Sequence, residues 1–108
     1  MANLADFVFL DENSSVTTSN TFYVPYDADE VVLQVTGDST IDVTVQGKTD
    51  TENGDFVTLS VINHTGFSTG QKIEAEGIYS VMASGIRQMR IVNAQSAGSV
   101  TVFGSAVN

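Results

Sequence analysis

Hydrophobic and polar residues alternate with a period of two along several short stretches of this 108-residue chain. In IDVTV (41–45), Ile41, Val43 and Val45 fall on one side and Asp42 and Thr44 on the other. Successive side chains of an extended backbone point to opposite faces, so the pattern predicts a strand with one buried face. FVTLSVI (56–62) alternates in the same way, with Val57, Leu59 and Val61 expected inward. DFVFL (6–10), TFYVPY (21–26), VVLQV (31–35) and SVTVF (99–103) are apolar runs of strand length, and KIEA (72–75) reads as a short edge strand. Pro25 cannot donate to a ladder and belongs at an edge or a strand end. DENSSVTTSN (11–20) and NHTGFSTGQ (63–71) read as loops, and DADE (27–30) as a turn. Asn53-Gly54, inside the acidic DTENGD (50–55), is the strongest hairpin signal in the chain.

GIYSVMASGIRQMRIVN (77–93) fits two patterns. Ile78, Val81, Met82, Ile86 and Met89 follow helical spacing loosely. Gly77 and Gly85 disfavour a helix interior, and Ala83-Ser84-Gly85 interrupts the spacing. Two strands, 78–82 and 86–92, joined by a Ser-Gly turn, fit better. Arg87 then shares a face with Met89 and Ile91, while Gln88, Arg90 and Val92 share the other. LQVTGDSTIDVTVQG (33–47) and MRIVNAQSAGSVTVFG (89–104) echo each other as strand, polar turn, strand, glycine, as one type of hairpin used twice would. Seven to nine mostly antiparallel strands at this spacing predict a single all-β domain over 1–108, a jelly-roll-like β-sandwich.

Composition agrees. The chain has 15 valines and 12 threonines but 4 leucines, and β-branched side chains suit a pleated surface. There is no cysteine, which excludes disulfides and thiolate metal sites. The opening MANLADF lacks the basic and apolar regions of a secretory signal. The apolar runs are too short for a spanning helix, so no membrane insertion is expected. The net charge is −9 and is unevenly spread. Residues 1–55 hold eleven carboxylates against Lys48, whereas 56–108 hold Glu74 and Glu76 against Lys72, Arg87 and Arg90. Nucleic-acid binding is not expected, because phosphate neutralisation needs clustered cations in excess. A highly charged surface keeps a protein soluble. The asymmetry also suits acidic and neutral faces meeting between copies.

Candidate chemistry is sparse. His64, the one histidine, lies in an Asn-His-Thr-Gly stretch that reads as an exposed loop rather than part of a catalytic triad. The carboxylates fall in turns and on outward strand positions, not as a facing pair for glycoside cleavage. Asp50, Glu52 and Asp55 are a weak calcium candidate, since oxygen ligands suit a hard cation, but the spacing lacks the EF-hand glycine and distal glutamate. Tyr26 and Phe67 are candidate aromatic contacts for a sugar ring. Alternation requires one of Phe22 and Tyr23, and one of Ile78 and Tyr79, to face the core. No glycine-rich phosphate loop opens a helix, so no nucleotide cofactor is expected, and no enzyme activity is expected.

GIYSVMASGIRQMRIVNAQSAGSVTVFG (77–104) resembles a pattern of small virion-associated proteins of tailed bacteriophages and prophages. In that pattern a Gly-Tyr strand, a small-residue-plus-glycine turn, an apolar-Arg-apolar strand and a Gly-Ser-Val-Thr-Val strand follow one another. Tyr79, Ser84-Gly85, Arg90 and Ser99-Val100-Thr101-Val102 hold those places here, with Ile86 departing from the usual Leu or Tyr. The matched residues are fold determinants, so no site residue carries over. The resemblance implies a non-enzymatic virion protein, made in the bacterial host cytoplasm, that serves as a capsid-decoration, head-fibre or tail subunit. Its expected partners are copies of itself, in a homo-oligomer such as a trimer, and other virion proteins. Arg87 and Arg90 are then the candidate contact residues. A carbohydrate-binding sandwich, with Tyr26 or Phe67 on its platform, is the alternative.

Overall fold

The computed structural model describes residues 2–37, 40–49, 53–94 and 97–108. The described residues contain no helix. They form eleven strands: β1 (Asn3–Asn13), β2 (Thr17–Thr18), β3 (Phe22–Tyr23), β4 (Glu30–Gly37), β5 (Val43–Lys48), β6 (Val57–Thr58), β7 (Val61–Asn63), β8 (Thr69–Gly70), β9 (Gly77–Met82), β10 (Gln88–Asn93) and β11 (Val100–Val107). A six-stranded sheet has the order β1-β11-β4-β9-β7-β8. A five-stranded sheet has the order β2-β10-β5-β6, with β3 paired to β10 beside β2. Every pairing is antiparallel, and the all-β sandwich expected from the alternation is the fold observed. The count exceeds seven to nine because four of the strands, β2, β3, β6 and β8, are two-residue ladders. Segments that short carry no periodicity to read.

The inward positions of the long strands build the core. Val31, Leu33 and Val35 of β4 face Val102, Gly104 and Ala106 of β11 and Tyr79 and Val81 of β9. Val43 and Val45 of β5, with Met89 and Ile91 of β10, close the core from the other sheet. Of the paired choices, Phe22 and Tyr79 are buried, and Tyr23 and Ile78 are exposed. Phe7, Phe9 and Phe22 pack as a ring cluster between the β1 edge and β3, with centroids 4.9–5.9 Å apart. A register shift between Val8 and Leu10 turns both Phe9 and Leu10 inward, which strict alternation forbids.

Four sequence readings change. The 56–62 run is not one strand: β6 belongs to the five-stranded sheet and β7 to the six-stranded one. Leu59 and Ser60 carry the chain across, so Val61 is buried while Val57 is exposed. DENSSVTTSN is not wholly a loop, since β1 runs on through Asn13 and β2 follows. Its polar residues face water on an edge, where hydropathy gives no signal. KIEA forms a single bridge, Ile73 to Val43, rather than a strand. The two-strand reading of 77–93 holds. Ile86 N donates to Ala83 O, and Gly85 at φ 85° supplies the left-handed turn residue. The echoed segments are alike in another way than expected. β4–β5 and β10–β11 each join strands of opposite sheets, so both are crossings and not hairpins.

Candidate interaction surface

β5 and β10 pair residue by residue, with Arg90 opposite Gln46 and Gln88 opposite Lys48. Alternation sends Val45, Met89 and Ile91 to the core, so Thr44, Gln46 and Lys48 of β5 share the outer face with Arg90 of β10. Arg90 Nε donates to Gln46 Oε1 at 2.8 Å. Its guanidinium carbon lies 3.9 Å from the Phe56 ring centroid, and Lys48 Nζ lies 5.2 Å from the same centroid. Arg87 precedes β10. Its amide donates to Lys48 O, its carbonyl accepts from Val24 N, and its guanidinium carbon stands 4.2 Å from the Tyr26 ring centroid. Three of the chain's four cations therefore gather at one corner of the five-stranded sheet, each against an aromatic ring.

Each cation–ring contact stabilises by about 0.5–1 kcal/mol at an exposed site. Against that, Lys48 and Arg90 share one ring and repel each other. Among the described residues the one ion pair is elsewhere, Lys72 to Asp42 at 3.4 Å. Among the described residues no carboxylate forms an ion pair with Lys48, Arg87 or Arg90. Tyr23 pairs with Gln88 and extends the aromatic surface at 69% exposure, beside Tyr26 at 78%. A shallow groove of about 440 Å³, with Lys48, Asn53, Asp55, Val57 and Ile86 on its walls, adjoins the corner.

The predicted contact residues divide. Arg87, Arg90 and Tyr26 come together at the corner. Phe67 does not join them: it is exposed on the β7–β8 connection, in the other sheet, at φ 57°. Lys48, Phe56 and Gln46 belong to the corner and were not singled out in the sequence. The outward alternation of Gln46 and Lys48 was a usable signal, but the β5–β6 register that brings Phe56 under Arg90 was not. Of the calcium candidate, Asp50 and Glu52 lie outside the described residues. Asp55 is exposed, and the described residues contain no group of three potential metal ligands.

His64 is exposed on the sequence-predicted loop, and its ring hydrogen-bonds to Ser80 Oγ on β9 while its amide donates to Ile78 O. This pair ties the β7–β8 hairpin to the sheet. A nucleophilic triad adds a third group that orients the imidazole, and the ring's described bond is to Ser80.

No family model matches the chain, and no curated protein sequence matches it. Two solved structures share its fold. The SPBc2 prophage-derived protein YomS is 23% identical, with a TM-score of 0.85 over 96% of this chain and 92% of that one. The PBSX exported protein XepA is 18% identical, with a TM-score of 0.86 over the whole of this chain. The chain spans 39% of the XepA chain's length. Both likenesses are likenesses of fold: the sandwich is the same, and at these identities the surfaces are free to differ.

Proposed function

We propose that this chain is a non-enzymatic bacteriophage structural protein, a virion subunit of the capsid-decoration, head-fibre or tail-associated kind, acting by packing against copies of itself and neighbouring virion proteins. One observation carries the reading: the fold of nearly the whole chain matches a prophage-derived protein across 92% of that protein's length. The surface supports it in kind. The cation–aromatic corner, which forms no ion pair among the described residues, is chemistry suited to docking a carboxylate-bearing surface, with aromatic rings and arginine as anchors. The exposed Val8, Phe103, Ile78 and Met82 on the six-stranded sheet add apolar area for packing.

The test has two arms. Light scattering with size-exclusion chromatography over a range of protein and salt concentrations reads self-association, and co-sedimentation with phage particles reads docking. A defined oligomer or a particle-bound fraction is expected; a monomer that ignores particles refutes the proposal.

A second reading is favoured by the exposure of Tyr23 and Tyr26 on one sheet end. A flat sheet face carrying aromatic rings and polar side chains suits a glycan. It expects signals on a glycan array that Tyr26→Ala removes, and a blank array refutes it.

A further inference from the structure

The corner's charge has a counterpart elsewhere on the chain. Glu12 N donates to Thr101 Oγ1, and Gly37 N donates to Glu76 Oε2. Thr101 pairs with Thr36, and Val100 with both Gly37 and Asn13. Val43 bridges to Ile73 beside the Lys72–Asp42 pair. These contacts bring Asp11, Glu12, Asp42, Glu74 and Glu76 to the end of the sandwich where β1 and β4 finish and β5 starts. Lys72 is the cation among them. Lys48 stands at the opposite end of β5, five residues on, or about 17 Å away. That exceeds the screening length of about 8 Å at physiological salt, so the two charges do not neutralise each other within one chain. Asp27, Asp29, Glu30 and Asp55 lie nearer the cations, yet none forms an ion pair with Lys48, Arg87 or Arg90 among the described residues.

Resting on the structural reading above, we propose that the chains associate head to tail. The Lys48–Arg87–Arg90 corner of one copy docks on the acidic end of the next, whose carboxylates pair with its cations. The two surfaces lie at opposite ends of the molecule, and joined head to tail they make a heterologous contact. It repeats until a ring closes or a filament grows. An isologous dimer with its axis at the corner would press the cations on one another, and charge opposes that. Arg90 is held for the task, because Gln46 and Phe56 fix its side chain before a partner arrives and reduce the ordering cost of docking.

Complementation between two faces tests this. Arg90→Glu removes the cationic head and leaves the acidic end intact. Asp11→Lys combined with Glu74→Lys reverses two exposed carboxylates without described hydrogen bonds and leaves the head intact. Each variant alone is expected to self-associate at least tenfold more weakly than the unaltered chain, which itself weakens from 50 to 500 mM salt. Mixed in equal amounts, the two variants are expected to form one-to-one heterodimers that grow no further, because each pair holds a single competent contact. Lys48→Glu, which does not touch the Gln46 hydrogen bond, replaces Arg90→Glu if that variant's melting temperature falls.

Assembly of either folded variant as strong as that of the unaltered chain overturns head-to-tail docking, as does a mixture that stays monomeric. Self-association that survives in both variants leaves the structural-protein reading standing and sinks this one alone. An unaltered chain that remains monomeric yet binds an anionic polysaccharide such as dextran sulfate through Arg90 also overturns it. Co-sedimentation with particles then decides the broader reading separately.

Discussion

Gly104 sits on the inner face of β11, opposite Leu33 and Phe7, with no room for a side chain. A Cβ built there would lie 2.6 Å from Phe9 Cε2 and 3.3 Å from Leu33 Cδ2. Ordinary carbon contacts are about 3.5–4.0 Å, so Gly104→Ala requires the Phe9 ring to retreat by roughly 1 Å. The ring has little freedom, since it is 5% exposed and packs edge-on against Phe7 and Phe22. Overpacking a close-packed core costs about 1–3 kcal/mol. Alanine returns about 0.5–1 kcal/mol of that by restricting the unfolded chain and favouring the strand. The net expectation is a loss of about 1–2 kcal/mol, a fall in melting temperature of about 5–10 °C for a domain of this size. Gly70→Ala is the control, because no atom lies within 4 Å of its built Cβ; it is expected to be neutral or slightly stabilising. Urea denaturation of the two variants, with Phe9→Leu added to Gly104→Ala, separates the steric effect from backbone entropy. Phe9→Leu should cost less in the Gly104→Ala background than alone, since it relieves the clash. Equal stability of Gly104→Ala and the unaltered chain refutes the argument.

Two further outcomes follow from buried polar groups. Burial raises the Tyr79 phenol above its ordinary 10.0; the unfolded chain ionises first, so this contribution to stability is complete below about pH 10 and is lost as pH rises through the folded value. Tyr79→Phe should abolish that alkaline decline in a melting series from pH 8 to 11, and should cost about 1 kcal/mol at pH 7 by leaving the Ala75 carbonyl without its 2.7 Å hydrogen bond. Asn93, fully buried, donates to Asn13 Oδ1 and Ser15 O and so ties the start of the β2 connection to β10. Asn93→Ala should lose about 2–3 kcal/mol by denaturant titration, and amide exchange should quicken at Asn13–Thr18.

How far the fold was legible follows from the range of the forces involved. In IDVTV the side-chain direction is set by the strand's own backbone, so alternation alone assigned Ile41, Val43 and Val45 to the core, where they are buried. The turn at Gly85 was equally local, since a left-handed residue is a property of the chain at that point. The course of 56–62 was not local. Val57, Leu59 and Val61 alternate perfectly, yet the chain leaves one sheet for the other between Thr58 and Val61. Which sheet buries a segment depends on the partner strand that reaches it. The same limit applied to the edge residues Asp11, Glu12 and Thr17, whose ladder bonds are invisible to hydropathy.

The candidate surface divides in the same way. The sequence by itself determined that this is an all-β chain, that its acids crowd the first half and that Arg90 faces away from the core. It could not place Phe56, Lys48 and Gln46 around Arg90, or bring Glu74 and Glu76 beside Asp11 and Glu12 at the far end. Residues separated by tens of positions meet only through inter-strand register, and register is decided by burying all the apolar faces at once. Charge along the chain is a property of the sequence, but charge across the surface, which governs what the protein can dock against, belongs to the packed sandwich.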